Sequence, residues 1–123
     1  MIIDNNNPIA TKSKAFALRI IKLYQFLSDE KKEYVLSKQV LRSGTSIGAN
    51  VREGLRGQSK ADFGAKMNIA LKEANETEYW LELLYESSYI EEKPYASITS
   101  DLNEILSLLT SIVRTVFSKN DSK

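Results

Sequence analysis

The chain has neither cysteine nor histidine. Without cysteine there is no disulfide framework and no thiolate chemistry. Without histidine, the commonest general base and the commonest zinc ligand are both missing. A di-iron bundle needs a Glu-x-x-His pair on each of two helices, so that site is excluded in its standard form. Proline is scarce, with only Pro8 and Pro94 in 123 residues, and helices meet few breakers. No run approaches the roughly 20 apolar residues of a membrane helix. The opening MIIDNNNPIATKSK lacks a basic stretch followed by an apolar one, so no signal peptide is expected. The expectation is a cytoplasmic protein with no membrane partner.

What is present suits one globular domain spanning 1–123, with an ordered core over about 10–118. Hydrophobic residues make up 42% and charged residues 27%, which sets the chain apart from disordered sequences. The net charge is +1, yet it is unevenly spread. Residues 1–57 hold ten Lys/Arg against five Asp/Glu, and residues 58–123 hold seven against eleven. Two readings follow: acidic and basic helices pairing within a bundle or across subunits, or a basic face for nucleic acid. The near-neutral total favours the first.

Apolar residues recur at three- and four-residue steps in four segments. The first runs over about 10–31, with Ile9, Phe16, Ile20, Leu23, Tyr24 and Leu27 on one face. The second runs to about Gly54 from Ser37, a candidate N-cap, with Val40, Gly44, Ile47, Val51 and Leu55 as its stripe. The third runs over about 60–88 behind Ser59, whose spacing to Asp62 resembles a capping box. The fourth runs over about 94–119, with Ile98, Leu102, Ile105, Leu109, Ile112 and Val116 in register. The first ten residues are expected to be frayed and the closing NDSK to be disordered. No segment alternates with period two, so the predicted fold is all-α, an antiparallel up-down-up-down four-helix bundle.

Two features exceed what a lone bundle needs. The stretch RSGTSIGANVREG (42–54) sits inside the second helix. Gly44 and Gly48 each cost a helix roughly 1 kcal/mol relative to alanine, which predicts close approach by a neighbour. Arg42, Ser46, Asn50 and Glu53 share the opposite side and form a candidate polar network, with Glu73 and Glu76 as acidic partners on the third helix. The second feature is YWLELLYE (79–86), apolar almost all round. A helix that is apolar on more than one face must bury more than one. Ile69, Tyr79, Trp80 and Leu83 are therefore the candidate subunit contact of a homo-oligomer, although Trp80 could instead fill a gap in its own bundle.

Chemistry is hard to find. Glu73, Glu76, Glu78, Glu82 and Glu86 read as a solvated, salt-bridged face. Ser43, Thr45 and Ser46 have no histidine to activate them. Neither G-x-S-x-G nor a Walker phosphate loop is present. No enzyme activity, metal, cofactor or small-molecule substrate is expected. For nucleic acid the candidate contacts are Lys12, Lys14, Arg19, Lys22, Arg52 and Arg56. The aromatics among them, Phe16, Tyr24 and Phe26, sit mostly at core spacing and are not obvious base-stacking platforms.

Two segments carry a family resemblance. Arg42, Ser43, Ser46, Ile47, Asn50, Val51, Glu53 and Gly54 match R-[AS]-x-x-S-I-x-x-N-[IV]-x-E-[GA]. Ala70, Leu71, Glu73, Ala74, Glu76, Thr77, Trp80 and Leu81 match A-L-x-E-A-x-E-T-x-x-W-L. The chain thus resembles the four-helix bundle proteins of the 23S rRNA intervening sequence family, over about residues 10–118. The resemblance implies a ring-like homo-oligomer, typically a pentamer. Relatives that accompany diversity-generating retroelements are basic and bind nucleic acid and a reverse transcriptase, whereas this chain is near neutral. Two functions follow as expectations: an oligomeric RNA or nucleoprotein accessory factor, or a self-assembling protein scaffold.

Overall fold

The structure, a computed structural model, describes residues 7–121. Four helices follow one another: α1 (Pro8–Asp29), α2 (Leu36–Leu55), α3 (Lys60–Glu86) and α4 (Glu92–Asp121). No strand occurs among the described residues. The fraying expected for residues 1–6 and 122–123 lies outside the described residues. At both ends the helices run further than the periodicity predicts. The α1 helix begins at Pro8 because the Asn7 side chain accepts a hydrogen bond from the Ile9 N–H at 3.0 Å, and proline at the first helical position has no N–H to satisfy. The α4 helix continues through Asn120 to Asp121, where disorder was expected.

Ser37 is not the N-cap of α2. Val35 occupies that position, and the capping hydrogen bonds come from Glu33 in the preceding loop. Its carboxylate accepts from the backbone N–H groups of Val35 (3.2 Å), Leu36 (3.0 Å) and Ser37 (2.7 Å). The Ser37 hydroxyl donates back to the Glu33 carbonyl at 2.7 Å. The first N–H groups of a helix have no internal partner, and one carboxylate here serves three of them at the positive end of the helix dipole. Burial pushes the Glu33 carboxyl up, but the N–H bonds from Leu36, Ser37 and Val35 outweigh it, so its pKa lies below the ordinary 4.5. At α3 the Ser59 hydroxyl oxygen does accept from the Asp62 N–H, at 3.1 Å.

The helices pack in sequence order, α1 on α2, α2 on α3, α3 on α4 and α4 back on α1. Direction follows from which residues meet. Ile20 faces Gly44 while Ser13 faces Gly48. Arg42 reaches Glu76 while Lys66 reaches Glu53. Val116 covers Gly64, and the Tyr85 and Tyr95 rings stack 4.2 Å apart. Lys12 meets Glu104 and Arg19 meets Asp101. In every pair, numbers rising along one helix meet numbers falling along the next, which is an antiparallel up-down-up-down bundle.

The core contains Phe16, Ile20, Leu27, Val40, Ile47, Met67, Leu81, Leu84, Leu102, Ile105 and Leu109, all fully buried. Leu23, Tyr24, Ile112 and Val116, placed at core spacing by the sequence, are only half-buried. The two glycines of α2 differ. A Cβ on Gly44 would lie 2.8 and 2.9 Å from the two γ-carbons of Ile20, and a β-branched side chain in a packed core has little room to yield. A Cβ on Gly48 would lie 3.4 Å from the Ser13 carbonyl oxygen, an ordinary contact.

Gly44→Ala is therefore expected to lower stability by about 1–2 kcal/mol, overpacking outweighing the gain in helix propensity. Gly48→Ala is expected to be neutral or stabilising by up to about 1 kcal/mol. Urea denaturation of both variants checks the contrast. For Glu33→Gln the expected loss near neutral pH is about 1 kcal/mol, the usual worth of a helix cap. Because the folded carboxyl titrates below its ordinary value, its contribution is complete above about pH 4.5 and is lost as pH falls through the folded value. The gap between wild type and Glu33→Gln should thus close on acidification, as a stability–pH series would show.

Candidate functional site

The polar stripe of α2 faces α3. Arg42 donates to Glu73 at 3.2 Å and also pairs with Glu76, whose carboxylate accepts from the Trp80 indole N–H at 3.1 Å. About three turns further along α2, Glu53 pairs with Lys66 at 2.9 Å. Ser46 and Asn50 do not join across the seam. The Ser46 hydroxyl donates to the Arg42 carbonyl at 2.6 Å, and the Asn50 side-chain amide donates to the Ser46 carbonyl at 2.8 Å. Both fold back on their own helix, as short polar side chains do when a carbonyl one turn away is within reach. The Arg42 side chain is 48% exposed, so its ion pairs are worth at most about 1 kcal/mol. Their role is to hold the Glu76 carboxylate and the Trp80 ring in one orientation.

Beneath this surface lies a contact the sequence reading missed. The hydroxyls of Ser43 and Thr77 are fully buried and hydrogen-bonded to each other at 2.9 Å. Thr77 also donates to its own-helix carbonyl at Glu73, at 2.7 Å. The signal was available in the spacing. Ser43 lies three residues after Val40 and four before Ile47, and Thr77 lies three after Ala74 and four before Leu81. Both are hydroxyls in core register, which predicts a mutual partner.

The four candidate interface residues divide. Trp80 packs against the core of its own bundle and is half-buried, as is Leu83. Ile69 and Tyr79 are exposed, at 40% and 54%.

The basic candidates divide as well. Lys12 pairs with Glu104 at 2.7 Å, and that hydrogen bond, with the charge of Glu104, raises the Lys12 pKa. Arg19 pairs with Asp101 at 2.6 Å and donates to the Ser97 hydroxyl at 3.0 Å. These two cations tie α1 to α4. Lys14, Lys22, Arg52 and Arg56 are exposed and make no ion pair among the described residues. Lys14, Arg52 and Arg56 line one groove of about 1120 Å³ between α1 and α2, floored in part by Gly48 and Val51. Asp62 and the Glu53–Lys66 pair stand at its α3 side. Among the described residues no cluster of three or more Asp or Glu side chains could hold a metal ion, and no helix is long and apolar enough to cross a membrane.

The family model for the 23S rRNA-intervening sequence protein matches residues 5–111. The chain belongs to the 23S rRNA-intervening sequence protein family. A solved structure agrees. A crystal structure at 1.70 Å from Bacteroides thetaiotaomicron VPI-5482, described as a protein with unknown function from the S23 ribosomal protein family, is 58% identical. It superposes with a TM-score of 0.86 and covers 90% of this chain and 99% of its own. No curated protein matches the chain. In this member of the intervening-sequence family, the two sequence segments that carry the resemblance are the two that meet across the α2–α3 seam.

Thr77→Val should cost about 1–3 kcal/mol, because the buried Ser43 hydroxyl loses its partner. Removing both hydroxyls, in Ser43→Ala with Thr77→Val, should cost less than the sum of the single changes. A double-mutant cycle by urea denaturation tests this, and strict additivity would mean that the pair is not coupled.

Proposed function

We propose that the protein is a non-enzymatic accessory factor that binds the phosphate backbone of RNA as a homo-oligomer, a pentamer on the family resemblance. The observation that carries this reading is the convergence of Lys14, Arg52 and Arg56 in one groove with no intramolecular ion pair. Cations left unpaired along a groove suit an extended polyanion, and binding then releases the counterions condensed on it. Three cations on one protomer bind weakly. Repetition around an assembly multiplies them through effective concentration. The exposed Ile69 and Tyr79, together with the half-buried Trp80 and Leu83, supply the surface for that assembly.

A second reading is a self-assembling scaffold that binds another protein and has no nucleic-acid role. It draws on Leu18 and Ile21, which are 55% and 38% exposed on the outer side of α1. In either reading the protein works in the cytoplasm.

The two readings separate on salt. If RNA is the ligand, a filter or anisotropy titration of a structured RNA should weaken steeply as salt rises. Replacing Lys14, Arg52 and Arg56 together by Gln should flatten that slope by about 0.7 per lost single-strand phosphate contact on each protomer. Light scattering on the same samples reports the assembly. An assembled particle indifferent to RNA at low salt would favour the scaffold.

A further inference from the structure

Phe26 has no part in the core. It lies 41% exposed on α1, outside the stripe formed by Phe16, Ile20, Leu23 and Leu27. The Lys31 ammonium stands over its ring, 5.8 Å from the centroid, a weak contact at an exposed site that a stacking base would displace. The ring borders a slot of about 520 Å³ at the end of the bundle, where α1 passes Tyr89 and the start of α4. Leu23 and Ile98 supply apolar lining, and Arg19, Lys22 and Lys31 stand around it. Asp101 already neutralises Arg19. Lys22 and Lys31 form no ion pair among the described residues.

We infer that this slot takes the base of an unpaired nucleotide, with Phe26 as its stacking platform and Lys22 and Lys31 holding the flanking phosphates. The inference rests on the RNA reading above and adds which form of RNA is bound. An exposed aromatic ring between cations is the pattern by which proteins hold single strands, since every base has a face to stack. The volume lies within the range of small-ligand pockets, roughly 300–1000 Å³. The one carboxylate in the lining, Glu91, repels phosphate and can accept from a base amino group, so the slot suits a base better than a bare anion. A paired base cannot enter, because its faces are covered by its neighbours in the stack.

The slot and the groove are joined by α1. Lys14 lies at the groove, Lys22 and Phe26 at the slot, and Leu18 and Ile21 are exposed between them. From Lys14 to Phe26 the helix rises roughly 18 Å. A strand laid along α1 would reach both sites.

The test compares a short oligoadenylate with a blunt RNA duplex of the same sequence by fluorescence anisotropy at low salt. One adenine of the single strand is replaced by 2-aminopurine to report stacking. The wild type should prefer the single strand and quench the 2-aminopurine. Phe26→Ala should weaken single-strand binding about tenfold, abolish the quenching and leave duplex binding unchanged. Phe26→Trp should restore both, and an unchanged melting temperature shows that the fold is intact. Equal binding of single strand and duplex, untouched by Phe26→Ala, overturns the inference while leaving the RNA reading in place. Binding of neither RNA by the wild type overturns both.

Discussion

The bundle depends on how closely α2 lies against α1. At Gly44 the absence of a side chain lets Ile20 occupy the space a Cβ would need. One turn on, Gly48 meets the Ser13 backbone. With this face closed on α1, the neighbouring face of α2 turns to α3, where Ser43 finds Thr77 and Arg42 finds Glu73 and Glu76. The far end of α2 then carries Arg52 and Arg56 to the side of α1 that bears Lys14. A glycine that weakens the isolated helix thereby sets the position of the basic groove.

The uneven charge of the sequence resolves in two ways at once. Part of the basic half is neutralised by the acidic half, through Lys12 with Glu104, Arg19 with Asp101, and Arg42 with Glu73 and Glu76. These pairs are exposed and add little stability, but they fix which helices face each other. Among the rest, Lys14, Lys22, Arg52 and Arg56 have no such partner among the described residues. A total near neutrality therefore conceals a face that is locally basic, and local charge rather than net charge governs attraction of a polyanion.

Much of the fold was legible because apolar spacing is a strong signal in long helices. The α2 stripe of Val40, Gly44, Ile47, Val51 and Leu55 is buried throughout. Helix starts were less legible, since a cap is an event between side chain and backbone rather than a pattern. Ser37 has the spacing of a cap for α2, yet the Glu33 carboxylate four residues upstream of it reaches further and accepts more bonds. Asn7 before Pro8 is a plain cap signal, read from residue type rather than from periodicity. At the site, the link from Arg42 to Glu73 and Glu76 could be anticipated from charge and register. The inward turn of Ser46 and Asn50 could not, because a side chain's choice between its own helix and a neighbour depends on sub-ångström distances. Leu23 and Tyr24 misled for a related reason, since both sit at core spacing and are only half-buried. Periodicity places a residue within an arc of the helix, and only the packed neighbours decide whether that arc's edge is covered.

On the proposed function, RNA meets the outer side of α1 and the adjoining end of α2. Lysine-reactivity footprinting with and without bound RNA addresses it directly, because the chain's exposed lysines sample several faces. RNA is expected to protect Lys14, Lys22 and Lys31 while Lys72 on α3 and Lys93 on α4 stay as reactive as in the free protein. Protection centred on Lys72 or Lys93, with the α1 lysines unchanged, would contradict it.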